Sequence, residues 1–131
     1  GPQTFHKVDR QNLVDKREDI SFDVRYFECA PDGYTTLEKH EHTHVVIVLR
    51  GKGSVLVDHH WYEVQPFDCI VIPGHAAHQL KNCNPDEPFG FLCIVNQKRD
   101  SFKLLSREEL KDLLSDTPNL MIPIGYIGEE V

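Results

Sequence analysis

Positive charge is scarce in this chain. Its 14 Lys and Arg face 21 Asp and Glu, a formal net charge of -7 over 131 residues. A nucleic-acid partner needs a basic stripe to neutralise phosphates, so none is expected. No apolar run approaches the roughly 20 residues of a membrane span, and no secretory signal pattern is visible. No membrane partner and a cytoplasmic location are therefore expected, with reduced thiols. The four cysteines, Cys29, Cys69, Cys83 and Cys93, make no CxxC pair, which excludes the familiar zinc and redox spacings. Cys69 and Cys93 fall inside apolar runs and are expected to be small buried hydrophobes. There is no internal repeat, no low-complexity segment and no helix-turn-helix pattern.

What is present suits one soluble domain: 40% hydrophobic and 27% charged residues, in a chain long enough for a real core. Gly1-Pro2 resembles a scar of tag cleavage, and residues 3–20 are polar, an arm or lead-in. From Ser21 the pattern changes to short alternating runs: 21–29, a turn at Ala30-Pro31-Asp32-Gly33, then Tyr34–Glu38 and a Val45–Leu49 strand apolar on both faces. A hairpin follows, Ser54–Val57 and Trp61–Val64 around Asp58-His59-His60, then Cys69–Ile72, His78–Lys81 and Phe89–Val95. Short strands separated by Gly, Pro and Asp turns every eight to twelve residues indicate an all-β sandwich or barrel over 21–100. One helix is expected in 101–131. Ser106-Arg107-Glu108-Glu109 is a capping box, Leu110, Leu113 and Leu114 form its apolar stripe, and the helix stops before Pro118. The tail from Leu120 carries Met121, Ile122, Ile124, Tyr126 and Ile127 and is expected to dock.

Chemistry concentrates in Glu38-Lys39-His40-Glu41-His42-Thr43-His44. Residues two apart on a strand share a face, so Glu38, His40, His42 and His44 can converge. Imidazole and carboxylate together make a site for a divalent transition metal, Zn, Fe, Mn, Ni, Co or Cu. Full extension would set Glu38 and His44 roughly 20 Å apart, so a bend or bulge between them is required.

The spacing of Gly33, His40, His44 and Gly51, followed by Pro73, His78 and Asn82, resembles the two metal motifs of the cupin family across residues 22 to 96. His44 occupies the usual glutamate place of the first motif, similar to a subgroup of small cupins whose metal is held by four histidines. Glu38 stands where that motif has its first histidine, His75 replaces a loop glycine after Pro73, and Phe67 stands where a glycine usually precedes Asp68. The resemblance implies a jelly-roll barrel of two antiparallel sheets, with His40, His44 and His78 as metal ligands and Glu38 completing the shell. His42 remains the alternative ligand. Cys93, in Gly90-Phe91-Leu92-Cys93, resembles a cysteine that points toward the metal in that subgroup, and a packed core role is equally open to it. Gln79 alternates away from His78.

Other residues carry plainer readings. His59 and His60 are exposed turn residues, His75 sits in a loop leading to the site, and His6 is isolated. Trp61 packs on a sheet face, and Glu108-Glu109 and Glu129-Glu130 belong to the cap and the tail. The expected function is that of a metalloenzyme whose small organic substrate lies in an apolar barrel beside Val46, Val48, Ile70, Phe91 and Cys93. Oxygenase, isomerase, lyase and cyclase chemistry are not distinguished, and no catalytic residue is assigned beyond the metal site. Arg25 and Arg50 are candidates for anion contacts. The alternative is a non-enzymatic sensor or storage module binding a metal or small ligand. A homodimer is expected, because a strand apolar on both faces needs a cover.

Overall fold

Alternating and β-branched residues put most of the chain into strands, and the computed structural model describes residues 4–117 and 119–121. The strands are β1 (His6–Val14), β2 (Phe22–Tyr34), β3 (Glu38–Lys39), β4 (His44–Arg50), β5 (Gly53–Val57), β6 (His60–Val64), β7 (Cys69–Ile72), β8 (His78–Lys81), β9 (Phe89–Asn96) and β10 (Lys103–Leu104). One helix, α1 (Arg107–Leu114), follows them. The pairing is antiparallel and runs β1-β2-β9-β4-β7 in one half and β10-β3-β8-β5-β6 in the other. A single bridge, Tyr34 with Lys81, joins the halves into one curled sheet. The core lies between them, with Val46, Val48, Phe89 and Phe91 from one half packed on Val55, Val64 and Leu80 from the other. A second cluster, Leu37, Leu56, Leu105, Leu113 and Leu120, seats the helix and the start of the tail.

Several expectations change at this level. The segment read as a polar arm forms β1, paired along β2 from Tyr34 to Val24. The turn at Ala30-Pro31-Asp32-Gly33 does not end the strand. It becomes a bulge within β2, visible as a register shift between His6 and Val8, with Asp32 at φ 67°. Pro and Gly here bend the ladder without closing a hairpin. β4 is not buried equally on its two faces: Val46 and Val48 are fully buried, Val45 and Ile47 half-buried, and Leu49 is 43% exposed. Cys69 is exposed, because the alternation of β7 turns it outward while Ile72 faces the core. The helix begins as expected: Ser106 Oγ accepts from Glu109 N and the Glu109 carboxylate accepts from Ser106 N. Leu114, assigned to the apolar stripe, is 38% exposed, and Leu113 makes the buried contact.

Leu120 is buried and Met121 half-buried. Gly1-Pro2, Pro118, the remaining tail and Glu129-Glu130 lie outside the described residues. Among those described, no helix is long and apolar enough to cross a membrane.

Gly51 shows why its place needs glycine. It has φ +69°, and an added Cβ would stand 2.1 Å from the Pro88 carbonyl oxygen. Both strain and clash follow, and the blocking atom is backbone. Gly51→Ala is expected to lower stability by more than about 1 kcal/mol, read as an earlier urea midpoint. An unchanged midpoint would show that the β4–β5 turn can relax around the methyl group.

Candidate metal centre

Strand pairing, not strand continuity, gathers the site. β3 ends at Lys39 and β4 begins at His44, so the chain bends through 40–43. This is the break that the histidine run required. The loop residue His75, itself at φ 68°, donates its N–H to the His40 carbonyl at 2.6 Å and ties that bend to the turn before β8. His78 at the head of β8 is the cross-strand partner of Glu38. Antiparallel partners project to the same side, which places the two side chains together.

The three imidazoles of His40, His44 and His78 form a nearly equilateral triangle. Their ring centroids lie 4.9 Å (His40–His44), 4.7 Å (His40–His78) and 4.8 Å (His44–His78) apart. All three are buried, and one ring nitrogen from each lies within 4.8 Å of the others. Each Nδ1 has a partner: the His42 carbonyl at 2.9 Å for His40, the Ala76 carbonyl at 2.9 Å for His78, and Cys93 Sγ at 3.0 Å for His44. A carbonyl only accepts, so His40 and His78 carry the proton on Nδ1. In the neutral rings Nε2 is then the lone-pair nitrogen.

The Nε2 atoms of His44 and His78 are buried without a hydrogen-bond partner. Leaving a buried polar atom unpaired costs about 1–3 kcal/mol, and two such atoms side by side are unusual for histidines kept only for packing. A triad oriented through Nδ1 with free Nε2 atoms is the donor set of a divalent transition metal. The residues fit such an ion.

Burial depresses the His40 imidazole below its ordinary range, assisted by His78 and His42. The same causes, burial first and then His78 and His40, push His44 down to about 2. A neutral ring is the form that binds metal.

Glu38 lies beside the triad, its carboxylate 3.7 Å from His78 Nε2. His42 stacks on His40 with centroids 3.7 Å apart, while its Nδ1 meets Asp100 at 2.8 Å. Asp100 also accepts from the Glu41 and His42 amides, and these bonds hold its carboxyl well below the usual range. Cys93 is buried behind His44 and accepts a hydrogen bond from Arg25 Nη2 at 3.1 Å. Burial raises its thiol pKa, with Arg25 opposing. Gln79 points away, as alternation requires, and donates to the Thr35 and Met121 carbonyls. His59 and His60 are exposed, and His59 pairs with Asp116 at 2.7 Å.

A cavity of about 430 Å³ reaches Glu38, His40, His42 and His44. Its remaining lining is mostly charged or polar, with Lys16, Asp23, Arg25, Arg99 and Asp100 prominent and Phe102 at its edge. Val46, Val48, Ile70, Phe91 and Cys93, expected to line an apolar pocket, are not among the residues that line this cavity. Val46, Val48 and Phe91 are consumed in the core, and Ile70 packs against it. Asp23, Arg99 and Asp100 were not legible as site residues, since their place follows from the pairing of β2 with β9 and the chain beyond it.

With this geometry the comparisons are decisive. The cupin domain family model matches residues 25–95, more than half of the chain. The chain belongs to the cupin family. It is 39% identical over 116 residues to a 1-methylthio-D-xylulose 5-phosphate methylsulfurylase of Rhodospirillum rubrum, covering 88% of this chain and 73% of that one. Among solved structures, a cupin 2 domain-containing protein from Halorhodospira halophila superposes with TM-score 0.86 at 40% identity, covering 88% of this chain and 84% of that one. A cupin 2 conserved barrel domain protein from Rhodopseudomonas palustris gives TM-score 0.86 at 34% identity, with 92% and 83% covered.

Two outcomes test the centre. The double variant His44→Ala/His78→Ala of this cupin is expected to lose bound metal in elemental analysis, and full stoichiometry in that variant would sink the site. The metal-free protein is expected to lose stability as pH falls. Above pH 6.5, the ordinary value for His44, neither state binds its proton. Below it the unfolded chain takes up a proton that the buried ring refuses, so stability drops progressively toward about pH 2. The slope is on the order of 1 kcal/mol per pH unit, measurable as the urea midpoint between pH 7 and pH 4. The same slope in His44→Asn would assign the effect elsewhere.

Proposed function

We propose that this cupin is a metal-dependent enzyme acting on a small phosphorylated sugar that carries a thioether, of the type of 1-methylthio-D-xylulose 5-phosphate. The observation that carries the reading is the pair of buried Nε2 atoms of His44 and His78 without a hydrogen-bond partner, with His44 and His40 lining an open cavity. The R. rubrum relative, an enzyme by name, supports the substrate class. An apolar barrel would suit a hydrocarbon, whereas a cavity lined by Lys16, Arg25 and Arg99 together with Asp23, Glu38 and Asp100 suits a hydroxylated, charged molecule, with Arg25, free of a carboxylate partner among the described residues, to meet its anion.

His40, His44 and His78 hold the ion, and Glu38 supplies the fourth donor from its cross-strand place opposite His78. A divalent ion held by these residues would supply Lewis-acid polarisation of a substrate oxygen. His42 has the weaker claim to ligation, because Asp100 takes its Nδ1 and its ring is stacked on His40. It serves as the cavity wall beside the metal. Cys93 is a positioning residue: its sulfur accepts from Arg25 and meets His44 Nδ1, which fixes the ring that faces the ion.

We also propose a homodimer. The outward face of β4 and β7 places Val45 opposite Val71, and Ile47 opposite Cys69. Val71 is 58% exposed on a strand that, among the described residues, pairs only with β4. A second copy laid on this face would cover it. Light scattering is expected to give twice the chain mass, and Val71→Asp is expected to return the monomer. A monomeric mass for the unaltered protein at tens of micromolar would remove the dimer.

The enzymatic reading is tested by incubating metal-loaded protein with 1-methylthio-D-xylulose 5-phosphate and following its consumption by mass spectrometry. Turnover that disappears with a chelator and in Glu38→Ala is expected. Retained metal with no turnover under zinc, manganese, iron, nickel, cobalt or copper would leave a binding module instead.

A further inference from the structure

Arg25 lines the cavity without a carboxylate within ion-pair distance among the described residues. It projects from β2 toward β9, where its register partner is Cys93, and it lines the cavity that reaches the histidines. A guanidinium carries five N–H donors. Among the described residues Arg25 uses one, from Nη2 to Cys93 Sγ at 3.1 Å, and its Nε is buried with no partner. The ring of Phe27, two residues on along β2, lies 5.2 Å from the guanidinium carbon, and Phe27 is itself stacked on Phe91. The side chain is thus held in place by packing and by sulfur while most of its donors go unused.

Apart from the Lys16 ammonium, which extends from the start of the loop after β1, the other charges around the cavity are already committed. Arg99 donates to Asp23 at 2.7 Å, and Asp23 also accepts from the Lys16 amide at 2.9 Å. Asp100 is occupied by His42 and two backbone amides. Glu38 stands by His78. Neither Asp23, Asp100 nor Glu38 forms an ion pair with Arg25 among the described residues. A partly buried guanidinium with spare donors, packed on Phe27 and with no carboxylate within ion-pair distance among the described residues, is a built receptor for an oxyanion.

Its position also sets the shape of the ligand. Cys93 Sγ sits between Arg25 and the Nδ1 edge of His44, while the free Nε2 of the same ring faces the metal position. The width of an imidazole therefore separates the cation from the ion. A molecule that uses both must carry its anion several bonds from the oxygen atoms that meet the metal.

We propose that Arg25 is the phosphate subsite of this cavity and selects small metabolites bearing a terminal phosphate away from the reacting end. The proposal rests on the sugar-phosphate reading above and assigns the residue that recognises the phosphate.

The test uses zinc-loaded protein carrying 15N-labelled arginine, titrated with inorganic phosphate and, separately, with acetate. Phosphate is expected to shift the Arg25 side-chain N–H signals saturably, with acetate binding at least tenfold more weakly. In calorimetry Arg25→Met is expected to bind phosphate at least tenfold more weakly at unchanged zinc stoichiometry, and Arg25→Lys is expected to recover part of the loss. Phosphate seated on the metal alone would leave the Arg25 signals unmoved and overturn the subsite. So would equal binding of acetate, or phosphate binding unaltered in Arg25→Met. The NMR arm needs no variant to fold. Turnover of the methylthio sugar is a separate readout. Its absence with an intact Arg25–phosphate contact removes the substrate and keeps the subsite, and the converse result does the reverse.

Discussion

Three imidazoles are held inside a barrel with one nitrogen tied and the other free, and most of the local architecture serves that constraint. Each Nδ1 finds its partner in a different element: the bend after β3, the turn before β8, and the sulfur of β9. No single strand could supply this. The bend at 40–43 brings His40 and His44 to one centre, and the short β3–β8 ladder brings His78 and Glu38 to the same place. The free Nε2 atoms are costly in an apolar interior, so the arrangement makes physical sense with an ion to accept their lone pairs.

Around the centre, the two halves of the sheet divide their labour. Their shared interior below the histidines is filled by Val46, Val48, Val55, Phe89 and Phe91. The open end is polar instead, and its charges are arranged in pairs that fix one another: Asp23 with Arg99, Asp100 with His42. Pairing of this kind gives rigidity more than stability, since an ion pair near solvent is worth little. Arg25 stands apart by having a sulfur where its neighbours have carboxylates. The C-terminal segment supports the ligand strand from outside: β10 pairs with Lys39 and Glu38, and Lys39 forms an ion pair with Glu109 of the helix.

The strands from β4 to β9 were legible because alternation and turn residues are local signals. The capping box of Ser106 and Glu109 was legible for the same reason. The histidine triad was legible from the resemblance to the cupin motifs, since His40, His44, Gly51 and His78 fall at their distances. Segment 3–20 was misread because an edge strand with one solvated face needs few apolar residues. Cys69 was misread because a short apolar run on an edge strand does not reveal which face is covered. Whether the inward residues of β4 and β9 line a barrel or fill it was not legible, because the same side chains can do either, and here Val46, Val48, Phe89 and Phe91 pack into one core.

By itself, then, the sequence determined the all-β class, the helix start and the bend in the histidine run, which follow from near-neighbour periodicity and side-chain chemistry. Its resemblance to the cupin motifs singled out His40, His44 and His78. Only the tertiary structure decided that Glu38 sits across from His78 while His42 is engaged by Asp100. It alone showed that Cys93 links Arg25 to His44 and that the cavity is polar. These are contacts between residues tens of positions apart, created by strand register. A shift of one residue in a ladder turns every side chain to the opposite face.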